Sequence, residues 1–361
     1  MKKYLIIFLA MVVIGFVLFE LADKEEAVVE TPTIKIGIIL PLTGNSANMG
    51  EASLKAINLA YDTATINSKY NYKLMIEDFQ LKGNLAATAA QKLISVDKVN
   101  AIYSFFSNAG FAVSPIAEKN KIPHISLTWE NQIADGNYNF IQCTPREAII
   151  DLFLKTMEKR PDIKTVGIIT EVRGGSEELA SMLSDALSPN YTVFVEKINR
   201  GETNFRMLIS KFIDNNVDLY IYVTIPPEVD ILAKQLHEAG IDNSKITALS
   251  SIDLSKELEL HEGISFVSSP SGSPEFISSM NGDTEYGADV SYDVITTFIE
   301  AFEANYKEGQ IPTSEEIRDH IKNMPSHQCA SLSCSIDESG FIKNPAVIKS
   351  IKNGKIVEVL E

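Results

Sequence analysis

Residues 34–60 read IKIGIILPLTGNSANMGEASLKAINLA. The apolar run 34–40 stops at Pro41 and gives way to small polar residues and glycines, PLTGNSANMG. That is the pattern of a strand ending in a loop. Across 51–65 apolar positions recur at helical spacing, so a helix follows. Loops leaving the carboxyl ends of parallel strands are where open α/β sheets hold ligands.

The same unit recurs. Strands are predicted at 72–78, 99–106 and 122–128, with helices at 84–95 and 110–120 between them. The pattern restarts with a short strand at 137–142 and a helix at 146–159. Strands at 165–170, 192–198, 219–224 and 246–250 then alternate with helices at 176–187, 204–215 and 228–239. A strand at 264–268 precedes the longest predicted helix, 286–306, and a further helix at 314–324. The tail, SCSIDESGFIKNPAVIKSIKNGKIVEVL, has β-like runs between turn signals. Alternation of this type makes right-handed βαβ units on parallel sheets. The fold class is therefore α/β, two doubly wound lobes with a cleft between them, as the length of 361 residues also suggests.

The formal net charge of −16 excludes nucleic acid as a natural partner, since phosphates need a basic surface. Residues 1–22 begin with Lys2 and Lys3 and run on through an uncharged apolar stretch. This is a secretory signal peptide or an N-terminal membrane anchor, and acids following the run place the remaining chain outside the cytoplasm. No cysteine follows the run to take a lipid. Residues 23–33 are acidic and read as a tether. The chain has three cysteines. Cys329 and Cys334 are placed to close a small disulfide loop, with two free thiols as the alternative, and Cys143 is expected to be buried. No spacing of cysteine and histidine suggests zinc. No H-E-x-x-H, Walker loop, G-x-S-x-G or G-x-G-x-x-G occurs, so neither enzyme activity nor a cofactor is expected. His124 reads as a satisfied packing or cleft-wall histidine. Gly174-Gly175-Ser176 reads as a turn and helix cap, or as an anion-holding loop.

Four stretches, 34–60, 86–126, QCTPREA at 142–148 and GADVSYDVITTFIEAFEAN at 287–305, together resemble the type I periplasmic binding proteins of the branched-chain amino acid and amide class. The resemblance implies a Venus-flytrap of two lobes joined by three crossings, near 143–145, 268–270 and 325–335. Lobe 1 would be 34–144 plus 269–327, and lobe 2 would be 145–268 plus 328–361. It further implies a solute receptor that captures an amino acid or related amide or carboxylate by lobe closure. An ABC permease would take delivery, and the receptor would work as a monomer. The alternative is a membrane-tethered sensor with no transport role. Carried over position by position, the carboxylate site falls on Ser107 with Asn108 and on Thr128, Trp129 and Glu130. The ammonium-binding acid falls on Glu147. The first loop offers Ser46 and Met49, where the family has an aromatic at the latter place. Arg173 stands where a tyrosine-glycine is usual and would suit a second carboxylate. Ser251 completes the implied set.

Overall fold

The computed structural model describes residues 30–172 and 174–359. The N-terminal apolar segment 1–22, the first part of the tether and Arg173 lie outside the described residues. Among those described, no helix is long and apolar enough to cross a membrane.

The first lobe is a three-layer unit on an eight-stranded sheet. Its consecutive strands are β1 (Thr33–Leu40), β2 (Asn71–Asp78), β3 (Ala101–Phe105), β4 (His124–Leu127) and β5 (Asn139–Cys143). They pair in parallel in the order β5-β4-β3-β1-β2. β3, β4 and β5 are buried along their whole length, as central parallel strands covered on both faces should be. β1 shows why both faces need cover. Ile34, Ile36 and Ile38 enter one core and Ile39 enters the other, because alternate residues point to opposite faces. Helices α2 (Gly83–Lys92) and α3 (Ser107–Asn120) cover the second face. The first face is covered by α1 (Ala47–Ala64) packed on a long C-terminal helix, Ala288–Ala304.

The helix α1 begins four residues earlier than its periodicity indicates, so the first loop shrinks to residues 41–46. Gly50 therefore lies inside the helix, and a Cβ there would sit 2.2 Å from the Pro41 carbonyl oxygen. The strand-end loop and the helix meet backbone to backbone. With 18 residues α1 is also longer than the C-terminal helix of 17, against expectation.

The second lobe repeats the plan. Strands β6 (Thr165–Glu171), β7 (Thr192–Ile198), β8 (Leu219–Val223) and β9 (Ile246–Ala248) pair in parallel in the order β7-β6-β8-β9. They are flanked by α4 (Arg146–Glu158), α5 (Gly174–Leu187), α6 (Arg206–Asp214) and α7 (Glu228–Glu238). A parallel bridge from Leu249 to Val267 continues this sheet into β10 (Ser265–Ser268).

After the short helix α8 (Pro274–Ser279) the chain forms the C-terminal helix named above, now α9, and then α10 (Ser314–Lys322). The next three strands correct the expected lobe boundary. β11 (His327–Cys329), β12 (Leu332–Ile336) and β13 (Phe341–Lys343) were placed with the second lobe, but β13 pairs in parallel with β5. Residues 327–343 thus extend the first sheet, and the third crossing falls at 344–346 rather than 325–335. The physical cause is twofold. β5 is fully buried, so its outer edge needs a partner. The carboxylate of Asp293 in α9 accepts the N–H of Ala330 at 2.6 Å and of Ser331 at 2.9 Å, holding the hairpin on the first lobe. Cys329 and Cys334 are joined within this hairpin, and Cys143 is free and buried. The last strands, β14 (Val347–Lys352) and β15 (Lys355–Val359), pair beside β10 in the second lobe.

Two buried polar groups inside this frame have opposite pH signatures. His124 on β4 is wholly buried, with Nδ1 hydrogen-bonded to Asn139 Oδ1 and Nε2 to the Ser104 hydroxyl, both at 2.8 Å. Burial pulls its pKa down to about 4, although the Asn139 bond favours the charged form. On α9, burial pushes Asp289 up to about 6 and Asp293 up to about 7. Their hydrogen bonds and Lys349 near Asp289 oppose that rise without cancelling it.

Three tests follow from the packing and these groups. Gly50→Ala gains about 1 kcal/mol of helix propensity but forces the Pro41 carbonyl aside. A net loss of about 1–3 kcal/mol in urea unfolding is expected, with exposed Glu51→Ala neutral; an unchanged Gly50→Ala midpoint would show that the helix does not rest on that carbonyl. The folded-state pKa of His124 lies below its unfolded value of 6.5. Its stability contribution is therefore complete above that value and is lost as pH falls towards 4. In NMR its ring should not titrate between pH 5.5 and 8; a midpoint near 6.5 contradicts this burial. The carboxyls of Asp289 and Asp293 carry folded-state pKa values above the unfolded 3.8. Stability from that pair is highest at low pH and is lost as pH rises through about 6 to 7. Asp289→Asn should flatten the fall in unfolding midpoint between pH 4 and 7, and an equal slope in both proteins would refute the assignment.

Candidate functional site

The carboxyl ends of β3, β4 and β5 meet the second lobe around Trp129. β3 ends at Phe105, and Phe106 after it has a φ of +73°, rare for a bulky residue. Such strain marks places where the surrounding structure dictates the backbone. The Phe106 ring stacks on Tyr286, with centroids 6.3 Å apart, and packs edge-on with Phe105. The turn delivers Ser107 to the first position of α3, where its hydroxyl lies 2.8 Å from that of Thr128 at the end of β4. Thr128 Oγ1 also accepts the Glu130 N–H at 3.1 Å. Cys143, at the end of β5, donates its thiol to the Thr128 carbonyl at 2.9 Å. Burial pushes that thiol well up despite the nearby Arg146 guanidinium, so it is a neutral donor.

Trp129 packs on the cores of both lobes. Its indole N–H is buried without a partner. Arg146, the first residue of α4, is 6% exposed. Its Nη1 donates to the Trp129 carbonyl at 3.0 Å and lies 3.0 Å from Glu178 Oε2. The guanidinium sits 5.6 Å from the Trp129 ring centroid. Glu130 Oε1 is 4.0 Å from Nη2. Gly175 on α5 faces the same group, since a Cβ there would lie 3.6 Å from Glu130 and 3.9 Å from Trp129. First-lobe Trp129 and Glu130 thus meet second-lobe Arg146 and Gly175. On the second lobe, the hydroxyls of Thr224 after β8 and Ser250 after β9 are also buried without partners. Ser250 carries a positive φ of +48°.

The expected site residues divide. Ser107, Thr128, Trp129 and Glu130 come together. Asn108 turns aside, donating to the Leu81 carbonyl at 2.6 Å. Met49 belongs to the first-lobe core, and Ser46 stands at the N-cap position of α1 with no side-chain cap bond. Ser251 is buried and ties β8 to β9, accepting the Thr224 N–H at 3.2 Å and lying 2.9 Å from the Leu249 carbonyl. Glu147 is exposed on the first turn of α4, and Arg173 lies outside the described residues. Arg146 was missed. A signal existed, because 146 shares the helical face of Ile149, Ile150, Phe153 and Met157, all buried. The one metal-capable grouping among the described residues, Asp293 with Cys329 and Cys334, has both sulfurs in the disulfide.

A family model described as periplasmic binding protein matches residues 33–324. Solved structures share the fold. The leucine binding protein LivK of Thermotoga maritima aligns at 22% identity over 91% of this chain and 98% of its own, with a TM-score of 0.78. LivJ of Streptococcus pneumoniae, in complex with isoleucine, aligns at 20% identity over 91% and 100%, with a TM-score of 0.73. A Rhodopseudomonas palustris solute binding protein of an ABC transporter, in complex with 3,4-dihydroxybenzoic acid, aligns at 20% identity over 91% and 96%, with a TM-score of 0.75. With its two doubly wound sheets and a match that spans most of its length, the chain belongs to the type I periplasmic binding proteins, extracytoplasmic solute-binding proteins rather than enzymes.

Proposed function

We propose that this protein captures a small carboxylate-bearing solute, an amino acid or a related amide or acid, between its lobes and delivers it to an ABC permease. The observation that carries this reading is the Ser107–Thr128 hydroxyl pair, 2.8 Å apart at adjoining strand ends and facing Trp129 and Arg146. Two hydroxyl donors at the start of a helix suit a carboxylate, because the helix amides add positive potential. Isoleucine and 3,4-dihydroxybenzoic acid, held by two structural neighbours, share little except a carboxylate.

In this reading the ligand docks on the first lobe through Ser107 and Thr128. The second lobe closes over it, bringing Gly175 and the start of α5 against Trp129. Closure removes water and strengthens each charged hydrogen bond. Motion is taken up where the chain crosses, at 143–146, 268–271 and 344–346. The protein works as a monomer. The N-terminal apolar run exports the chain or holds it at the membrane. An apolar run followed by no cysteine also suits a tethered sensor without a transporter. Binding of the loaded protein to a permease separates the two readings.

Titration calorimetry tests the site. Ser107→Ala and Thr128→Val should each weaken the bound solute about 10- to 150-fold, the value of one hydrogen bond to a charged group. Melting of each variant without ligand separates loss of the site from loss of the fold, and small-angle scattering should show compaction on binding. Full affinity in the double variant places the ligand elsewhere, and unchanged dimensions remove lobe closure.

A further inference from the structure

Arg146 carries chemistry that the receptor reading does not use. The guanidinium is planar, with five donors in fixed directions. Nη1 is occupied by the Trp129 carbonyl and Glu178. The other edge, formed by Nε and Nη2, is buried with neither nitrogen hydrogen-bonded. These two N–H groups point the same way, and their spacing matches the two oxygens of one carboxylate. Glu130 Oε1, at 4.0 Å from Nη2, is outside hydrogen-bonding range and does not fill that edge. The Trp129 ring lies 5.6 Å from the guanidinium, and its Nε1 is a third buried donor without a partner. Buried donors, and charged ones above all, are rarely left unmet in a folded protein. The start of α5 closes over the group, since a Cβ on Gly175 would lie 3.5 Å from Nη2. Donors on both lobes are therefore buried close together without an acceptor.

We propose that the Nε–Nη2 edge of Arg146, with Trp129 Nε1, is a second carboxylate subsite, so the solute is a small dicarboxylate held at its other end by Ser107 and Thr128. This rests on the receptor reading above. Arg146 then determines specificity. Glu130 is a competitor for the guanidinium, not the acceptor of a ligand ammonium.

The test is titration calorimetry of the full chain against succinate, glutarate, butyrate, benzoate, leucine and glutamate. The wild type should bind a diacid at least 30-fold tighter than its matched monoacid. Arg146→Lys keeps the charge but loses the fork, and should remove most of that preference while changing monoacid affinity less than 3-fold. Trp129→Phe keeps the ring and should weaken the diacid about 5- to 10-fold. Glu130→Gln should tighten it. The ratio of diacid to monoacid affinity, with melting of each variant measured without ligand, separates loss of the subsite from loss of the fold. Leucine or benzoate binding as tightly as any diacid, indifferent to Arg146→Lys, overturns the subsite and leaves the receptor standing. Glu130→Gln weakening an α-amino acid reassigns Glu130 to its ammonium and also overturns the subsite. No binding by any of the six overturns the acid-receptor reading and the subsite with it.

Discussion

Two crossings between the lobes run side by side and are tied together. The Asn344 N–H donates to the Cys143 carbonyl at 3.1 Å, and the Thr144 hydroxyl donates to the Pro345 carbonyl at 3.1 Å. The first ties residues that directly follow and end paired strands, β13 and β5. Buried as it is, β5 would have an unpaired edge without β13, and that edge would cost free energy at every N–H and C=O. The partner strand arrives only at residues 341–343. The first sheet is therefore finished by a segment that begins almost two hundred residues after β5, and whatever disturbs the crossing disturbs the sheet and the site together.

The buried carboxylate of Asp293 makes this return specific. Its oxygens take the Ala330 and Ser331 N–H groups and the Ser331 hydroxyl, so the loop of the disulfide hairpin is held by three hydrogen bonds to one side chain. Across the lobe boundary, Lys349 is buried on β14 and pairs with Asp253 at 2.8 Å. Asp253 also accepts the hydroxyl of Ser268, the last residue of β10 before its crossing. Each crossing thus has a polar anchor at its base. Removing one partner from such a buried set leaves an uncompensated charge, which is why these groups belong to the frame and not to the ligand.

Much of the frame was legible in the sequence, because central parallel strands are apolar on both faces and their helices are periodic. Residues 327–343 were legible as strands but not as members of a sheet. Turn chemistry at Glu338-Ser339-Gly340 specifies a local hairpin, whereas the choice of sheet depends on the edge of β5 and on Asp293, both far away in the chain. The site shows a sharper limit. Arg146 and Glu147 are adjacent, and one residue on a helix turns the side chain by about 100°. The motif drew the reading to the acid, while the buried stripe of Ile149, Ile150, Phe153 and Met157 selects the arginine. Asn108 failed for another reason. A nearby carbonyl, that of Leu81, takes its amide, and no local pattern announces that contact.

The segment 128–130 is held from both sides by the same crossing. Cys143 bonds the Thr128 carbonyl and Arg146 bonds the Trp129 carbonyl, so hinge and site share one stretch of backbone. A ligand can shift the balance of two lobe positions only by binding one of them better. Ser107 and Thr128 lie on the first lobe and contribute equally to open and closed forms. Arg146 belongs to a second-lobe helix, and its guanidinium reaches first-lobe Trp129 only where the lobes meet. The difference in affinity that drives closure must come from groups of that second kind. In the proposed reading, the residue that selects the solute is then also the residue through which the solute closes the cleft.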